Sequence, residues 1–405
     1  MIDNLRIRNY KSIVDLSIDL GRFNVIIGTN GCGKSNILEA ITLASAASQN
    51  KLDAESLNNR SIRETEPLFM MNAFDDTENN LNESVISIDI NSEEYEKGTS
   101  AIIGYSSAEE KWVNRGNITD KPKVVVAFEQ IQEMANGPED FEKYKSMIQD
   151  NMDTYIKIMH FITKNKGKKS FTMSDLYNSF DEQDIKRPSF SSFIAFRPVE
   201  KILRDFNNFT TYPLGSRGEG LFQYLKRVSN QNEGKDLFIK INDGLKMLDW
   251  FDGFNIPDGL LSNEYKLSIG DKFLKDSLHY FDQRSTNEGF LYLLFFLTLF
   301  NSKDTPQFFA VDNIETSFNP GLCQNLTKYL VKTTKENDKQ VILTTHNPFV
   351  LDGMDLSDDE IRLFVCRRDI DGHTKIERVK YREDRKMSLS ELWMSGLIGA
   401  LPDNF

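Results

Sequence analysis

Residues 28–35 read Gly-Thr-Asn-Gly-Cys-Gly-Lys-Ser, and this spacing of glycines, lysine and hydroxyl constrains the chain more than any other segment. Glycines let the backbone wrap closely around an anion with several N–H groups converging, which is what a bound phosphate requires. Lys34 supplies a point charge for β- and γ-phosphates, and Ser35 a hydroxyl ligand for Mg2+. The flanks fit the loop. Phe23 to Ile27 is the short apolar run of a buried strand, and Ser35 to Ala47 places Ile37, Leu38, Ala40, Ile41, Leu43 and Ala44 at helical spacing. Strand, glycine loop and helix make Asn30, Gly31, Cys32, Gly33, Lys34, Ser35 and Asn36 the candidate nucleotide-binding residues.

Two later runs carry matching chemistry. Phe308-Phe309-Ala310-Val311 is apolar and ends in Asp312, a carboxylate at a strand end that pairs with Ser35 as a candidate metal ligand. Val341 to Thr345 is another apolar run, and it delivers His346 just before Asn347-Pro348 turns the chain. A histidine there can reach a γ-phosphate and report its presence.

Composition sets the outer bounds. The chain has 405 residues, enough for one large domain or two to three lobes. Its most apolar run, Phe290 to Phe300, is about half the ~20 residues a membrane span needs, so it reads as a buried helix. The opening MIDNLRIRNYKS is patterned like a strand rather than a signal peptide. Cys32, Cys323 and Cys366 are scattered without metal-ligand spacing, which points to a reducing compartment, and together with the short apolar run the expectation is a cytoplasmic protein with no membrane partner. A net charge of −12 argues against DNA as a constitutive ligand. Basic groups at Lys164, Lys166, Lys168 and Lys169, and at Arg367, Arg368, Arg378, Lys380, Arg382 and Arg385, keep DNA open as a partner.

Alternation predicts strands over 2–9 and 14–20, strand-like runs follow at 85–91, 100–105, 123–128, 361–367 and 374–380, a hairpin arm is expected over 265–274, and 48–82 reads as a polar surface excursion. Residues 135–190 read as a charged helical insertion, with helices again over 221–248, near 321–335 and in the last stretch. The expected organisation is 1–134 with the phosphate loop, 135–260 as insertion and lid, and 261–405 with the remaining motifs.

In this order, LRIRNYKSI, GTNGCGKSN, the Asp312 strand and TTHNP resemble the ATPase heads of SMC, RecF and OLD-type proteins, the ABC-like branch of P-loop ATPases. The compact AAA family ATPases of bacterial defence islands, similar to the OLD head, look nearest. The resemblance implies an α/β P-loop fold with a mixed sheet, an N-terminal antiparallel β lobe and a helical insertion. It implies ATP and Mg2+ as cofactors and a homodimer, or higher oligomer, in which two heads sandwich two ATPs. A signature segment then completes the opposite head's site. Thr286-Asn287-Glu288-Gly289 fits its place before the apolar helix, with Asn287 and Gly289 as contacts; Leu267-Ser268-Ile269-Gly270-Asp271 has the better spelling but sits in a strand-like run.

The resemblance further implies a Mg2+-sensing glutamine, for which Gln130 and Gln132 are candidates, and an approach of Arg8 and Lys11 to the nucleotide. Related ATPases place a glutamate after the metal-binding aspartate; this chain has Asn313. An amide hydrogen-bonds water but accepts no proton, so slow hydrolysis is expected, with Glu315 as substitute base and His346 as phosphate sensor. The expected function is an ATP-driven switch acting on a separate effector, such as a nuclease, in anti-phage defence. A RecF-like DNA-repair ATPase and a non-hydrolysing ATP-dependent scaffold are the alternatives.

Overall fold

In the computed structural model, residues 1–63, 65–72, 74, 84–95, 97–136, 152–164, 180, 187–205, 213–231, 234–257, 260, 266–275, 277–278, 280–383 and 387–399 are described. Strands β1 (Ile2–Tyr10) and β2 (Ile13–Asp19) alternate buried and exposed side chains and pair antiparallel about Tyr10 and Ile13. After β3 (Phe23–Gly28) come α1 (Lys34–Ser48), α2 (Ala54–Asn59) and α3 (Pro67–Met70). Then β4 (Val85–Ser92), β5 (Thr99–Ser106) and β6 (Lys111–Asn114) extend the first pair into a five-stranded antiparallel sheet, ordered β2-β1-β4-β5-β6.

Helices α4 (Lys123–Asn136) and α5 (Met152–Lys164) follow, then the two-residue strand β7 (Ala195–Phe196), α6 (Glu200–Asp205), α7 (Leu221–Ser229) and α8 (Gly234–Leu245). A small antiparallel pair, β8 (Phe251–Asn255) with β9 (Ser268–Asp271), precedes α9 (Glu288–Asn301). The chain closes with β10 (Phe308–Val311), α10 (Pro320–Glu336), β11 (Gln340–Thr344), β12 (Ile361–Arg368), β13 (Thr374–Val379) and α11 (Leu389–Met394). The central sheet runs β13-β12-β3-β11-β10-β7, parallel throughout except for the β12–β13 edge.

Side chains on successive strand residues point to opposite faces, and this alternation divides the interior into two layers. Phe23, Val25, Ile27, Phe309, Val311, Val341 and Leu343 face a core shared with α7, α8, α9 and α10. Ile26, Phe308, Ala310 and Ile342 face the other core, filled by α1 and the antiparallel sheet. Strands covered on both faces are largely apolar, which is why β10 and the centres of β3 and β11 read as apolar runs, with Asn24 of β3 buried but hydrogen-bonded to Gly21 and Val341. In α9 every residue from Phe290 to Asn301 is buried, as a helix apolar on all sides requires. No helix among the described residues is long and apolar enough to cross a membrane.

The expected strand over 123–128 is a helix. Lys-Val-Val-Val-Ala-Phe has the composition of a strand, yet Val124, Val125, Ala127 and Phe128 form a helical face buried against Tyr155, Ile158 and Phe161 of α5. Tertiary packing outweighs the β propensity of the valines. Within the expected 135–260 stretch, most of 137–186 lies outside the described residues; β7 joins the central sheet, and α7 and α8 pack beneath it. Among the described residues of the last stretch, α11 alone is α-helical.

Lys339 is 2% exposed at the start of β11, where Nζ donates to Thr305 Oγ1 at 2.9 Å. Burial pushes its ammonium down from 10.5 to about 7. Between those values the unfolded chain binds a proton that the folded chain does not, so this residue makes stability rise with pH. Melting temperatures of wild type and Lys339→Met, measured between about pH 7 and pH 9, are therefore expected to diverge in favour of wild type as pH rises. Parallel curves would contradict the assignment.

Candidate nucleotide-binding site

The parallel register brings the sequence motifs together. Val25 pairs with Leu343 and Leu343 with Val311, so the loop after β3, Asp312 after β10 and His346 after β11 leave the sheet at one edge. There they line a cavity of about 330 Å3 with Asn30, Gly31, Gly33, Lys34, Ser35, Asn36, Arg63, Asn313 and Arg368. Ligands bind parallel sheets at such carboxyl edges because helix N-termini and loop residues converge there.

The loop is held from outside. The Cys32 carbonyl accepts from Thr374 Oγ1 at 2.9 Å and from Cys366 Sγ at 3.4 Å. The buried Cys32 thiol is brought down to about 6 by its hydrogen bond with Cys366 and by the Lys34 ammonium, against the effect of burial; the Cys366 thiol is pushed up. Gly33 begins α1 at φ 110 with no side-chain cap, leaving the first N–H groups of a 15-residue helix open to an anion. Lys34 Nζ donates to the carbonyls of Gly28 at 2.8 Å and Thr29 at 3.0 Å, so the ammonium lies against the loop.

Opposite the loop, Ser35 Oγ donates to Asp312 Oδ2 at 3.1 Å, and the Thr344 hydroxyl donates to Oδ1. A hydroxyl and a carboxylate converging beside a phosphate loop are the hard oxygen donors Mg2+ takes, so these residues fit the cation. Arg197 Nε stands 3.0 Å from the same Oδ2. Asn313 adopts φ 58, a left-handed conformation that asparagine tolerates better than most residues, and its N–H donates to Thr344 Oγ1 at 3.0 Å. Its neighbour Glu315 points elsewhere. That carboxylate accepts from the His346 N–H at 2.8 Å, its second oxygen is buried without a hydrogen-bond partner among the described residues, and it does not line the cavity. His346 does line it, and its pKa is lowered by desolvation and by Lys34 despite Glu315 and Asp312, which favours the neutral imidazole at pH 7.

Residues 1–250 match the family model of the AAA ATPase domain. The chain belongs to that family. Among solved structures it resembles an Smc head bound to the C-winged helix domain of ScpA, with 13% identity over 94% of this chain and 98% of that one and a TM-score of 0.53. It also resembles the Smc head domain with an extended coiled coil from Pyrococcus furiosus, bound to the C-terminal domain of ScpA, with 13% identity over 98% of both chains and a TM-score of 0.50. At such identity the likeness carries the fold, that of an SMC-type P-loop ATPase head. No curated protein matches the chain.

Apart from Arg368, the remaining sequence candidates whose side chains are described do not line the nucleotide cavity. Asn287 caps α9, accepting from the Phe290 N–H at 2.8 Å, and with Gly289 it lines a second cavity of about 860 Å3 beside Arg204, Trp250, Ser317 and Asn319. Arg204 Nη1 holds that turn through the carbonyls of Gln283, Arg284 and Thr286. Ser268 to Asp271 of the competing LSIGD segment is strand β9. Gln130 and Gln132 fall on α4, and their side chains lie outside the described residues. Arg8 pairs with Asp89 at 2.7 Å and Lys11 with Glu39 at 2.6 Å; neither lines the nucleotide cavity. Of the basic groups, Arg367 pairs with Glu377 and Arg378 with Asp359, while Lys166, Lys168, Lys169 and Arg385 lie outside the described residues.

Three arginines at the site escaped sequence reasoning as nucleotide-site residues. Arg63 lies in the polar 48–82 excursion, and Arg197 follows a strand too short to show a period. Arg368 read as one of a basic run, yet its Nε donates to the Gly31 carbonyl at 2.9 Å.

The loop's glycines are not equivalent. A Cβ at Gly33 would sit 2.1 Å from Thr374 Oγ1, whereas one at Gly31 meets nothing within 4 Å. Gly31→Ala is expected to cost only the left-handed backbone penalty, about 1 kcal/mol, and to keep ATP binding. Gly33→Ala should weaken it by at least about tenfold, as the loop shifts off its N–H geometry. Titration with a fluorescent ATP analogue checks both; equal losses would contradict the packing argument.

Proposed function

We propose that this ATPase binds ATP with Mg2+, dimerises through its nucleotide sites, hydrolyses slowly, and switches a separate effector in anti-phage defence within the cytoplasm. The observation that carries the nucleotide part is the convergence of Ser35 and Asp312 at 3.1 Å beside an uncapped helix N-terminus. Loop N–H groups and Lys34 would hold the phosphates, while Ser35 and Asp312 would hold the cation. When bound, Mg2+ supplies charge neutralisation of the β- and γ-phosphates. His346, neutral at pH 7, donates a hydrogen bond to the γ-phosphate. Asn313 orients water but takes no proton, which keeps turnover low and lets the ATP-bound state persist.

Support for dimerisation is positional. Asn287 and Gly289 open α9 in a cavity separate from the phosphate loop, where they are available to a second head. The effector role rests on the resemblance to defence-island ATPases, and both solved heads are bound to a domain of a second protein. The scaffold reading is favoured by one observation, Asn313 at the position of the usual base.

Phosphate release measured across a range of protein concentrations, with Lys34→Ala as blank, is expected to rise in specific activity with concentration. A flat line at the blank level with ATP still bound would favour the scaffold. Asn313→Glu should raise turnover by about tenfold or more, as a positioned carboxylate adds general-base catalysis. An unchanged rate would place the base elsewhere.

A further inference from the structure

Asp312 is engaged by a cation that belongs to the protein. Phe196 and Val311 are register partners in β7 and β10, so the next residues, Arg197 and Asp312, leave the sheet side by side. Arg197 Nε stands 3.0 Å from Asp312 Oδ2, and its Nη2 donates to Glu39 Oε1 at 3.4 Å. Glu39 lies on α1 four residues beyond Ser35, one turn away on the same helix face. Its side chain is 1% exposed, and it also pairs with Lys11 at 2.6 Å and Arg63 at 2.7 Å. One guanidinium therefore bridges two carboxylates, the one that would hold the divalent cation and one buried behind it.

The two contacts differ in kind. The Arg197 Nε–H has no acceptor in line among the described residues, so its contact with Asp312 is coulombic rather than an aligned hydrogen bond. Its contact with Glu39 is a hydrogen bond from Nη2. The oxygen that Arg197 approaches, Asp312 Oδ2, is also the one that Ser35 Oγ reaches. A guanidinium and a divalent cation on one carboxylate oxygen repel each other, and burial strengthens that repulsion. Both cannot hold it.

We propose that Arg197 is a positioning residue that occupies Asp312 ahead of the divalent cation and turns onto Glu39 when the cation binds, so that the Arg197–Glu39 pair sets the metal affinity of the site. The inference rests on the nucleotide reading of this cavity. Arg197 also keeps Asp312 oriented before metal arrives, and Glu39 gives the displaced charge a buried partner.

The test is Mn2+ binding in the presence of a non-hydrolysable ATP analogue, followed through the electron paramagnetic resonance signal of free Mn2+. Analogue binding in EDTA is measured separately, with Lys34→Ala as its control. Arg197→Ala is expected to bind Mn2+ about tenfold tighter than wild type, the scale of one partly buried ion pair. Arg197→Lys, too short to bridge both carboxylates, should fall between them and serves if the alanine variant fails to fold. Glu39→Gln should move the other way, because the guanidinium then stays on Asp312. Equal or weaker Mn2+ binding by both Arg197 variants, with analogue binding intact, would overturn the proposal alone. Failure of wild type to bind the analogue better than Lys34→Ala would overturn the nucleotide reading with it.

Discussion

Parallel pairing of β3 with β11 and of β11 with β10 places the phosphate loop, His346 and Asp312 on one edge of one sheet, and the rest of the molecule serves that alignment. Parallel neighbours need crossover connections, here α1 and α10, so the sheet is covered on both faces and its central strands are largely apolar. The helix that makes the first crossover begins at the loop itself. Its uncapped N-terminus is therefore at once a topological necessity and an anion site. A shift of β11 by one residue would turn Ile342 and Leu343 to the wrong layers, which is how the two cores guard the geometry of the site.

Much of this was legible because the physics was local. The glycine loop, the apolar strand before it and the helical spacing after it sit within one short segment, and burial on both faces left its mark on β10 and β11 as plain apolar runs. Non-local features were hidden. Residues 123–128 have strand composition, but a second helix covering Val124 and Phe128 decided the matter, and that partner is not adjacent in sequence. Arg197 owes its place to a two-residue strand whose register with β10 no pattern announces. Arg63 and Arg368 reach the cavity through loops and edges whose positions only the packed sheet defines.

The electrostatics of the site departs from a simple phosphate cradle. Lys34, Arg63 and Arg368 line the cavity, and Arg197 stands beside the carboxylate that would carry the metal, so positive charge surrounds Asp312. Glu39, Asp312 and Glu315 balance it from below, each held in different company: Glu39 by three cations, Asp312 by two hydroxyls and a guanidinium, Glu315 by the His346 backbone. Such an arrangement places several fixed positive charges where an anionic ligand would sit.

The most direct test of the central claim is a crystal structure of the full chain with a non-hydrolysable ATP analogue and Mn2+, with manganese located by its anomalous signal. The account predicts phosphates against residues 30–35 and one manganese between Ser35 Oγ and Asp312. Manganese instead at the turn of Asp369, Asp371 and His373, with the analogue away from the loop, would contradict it.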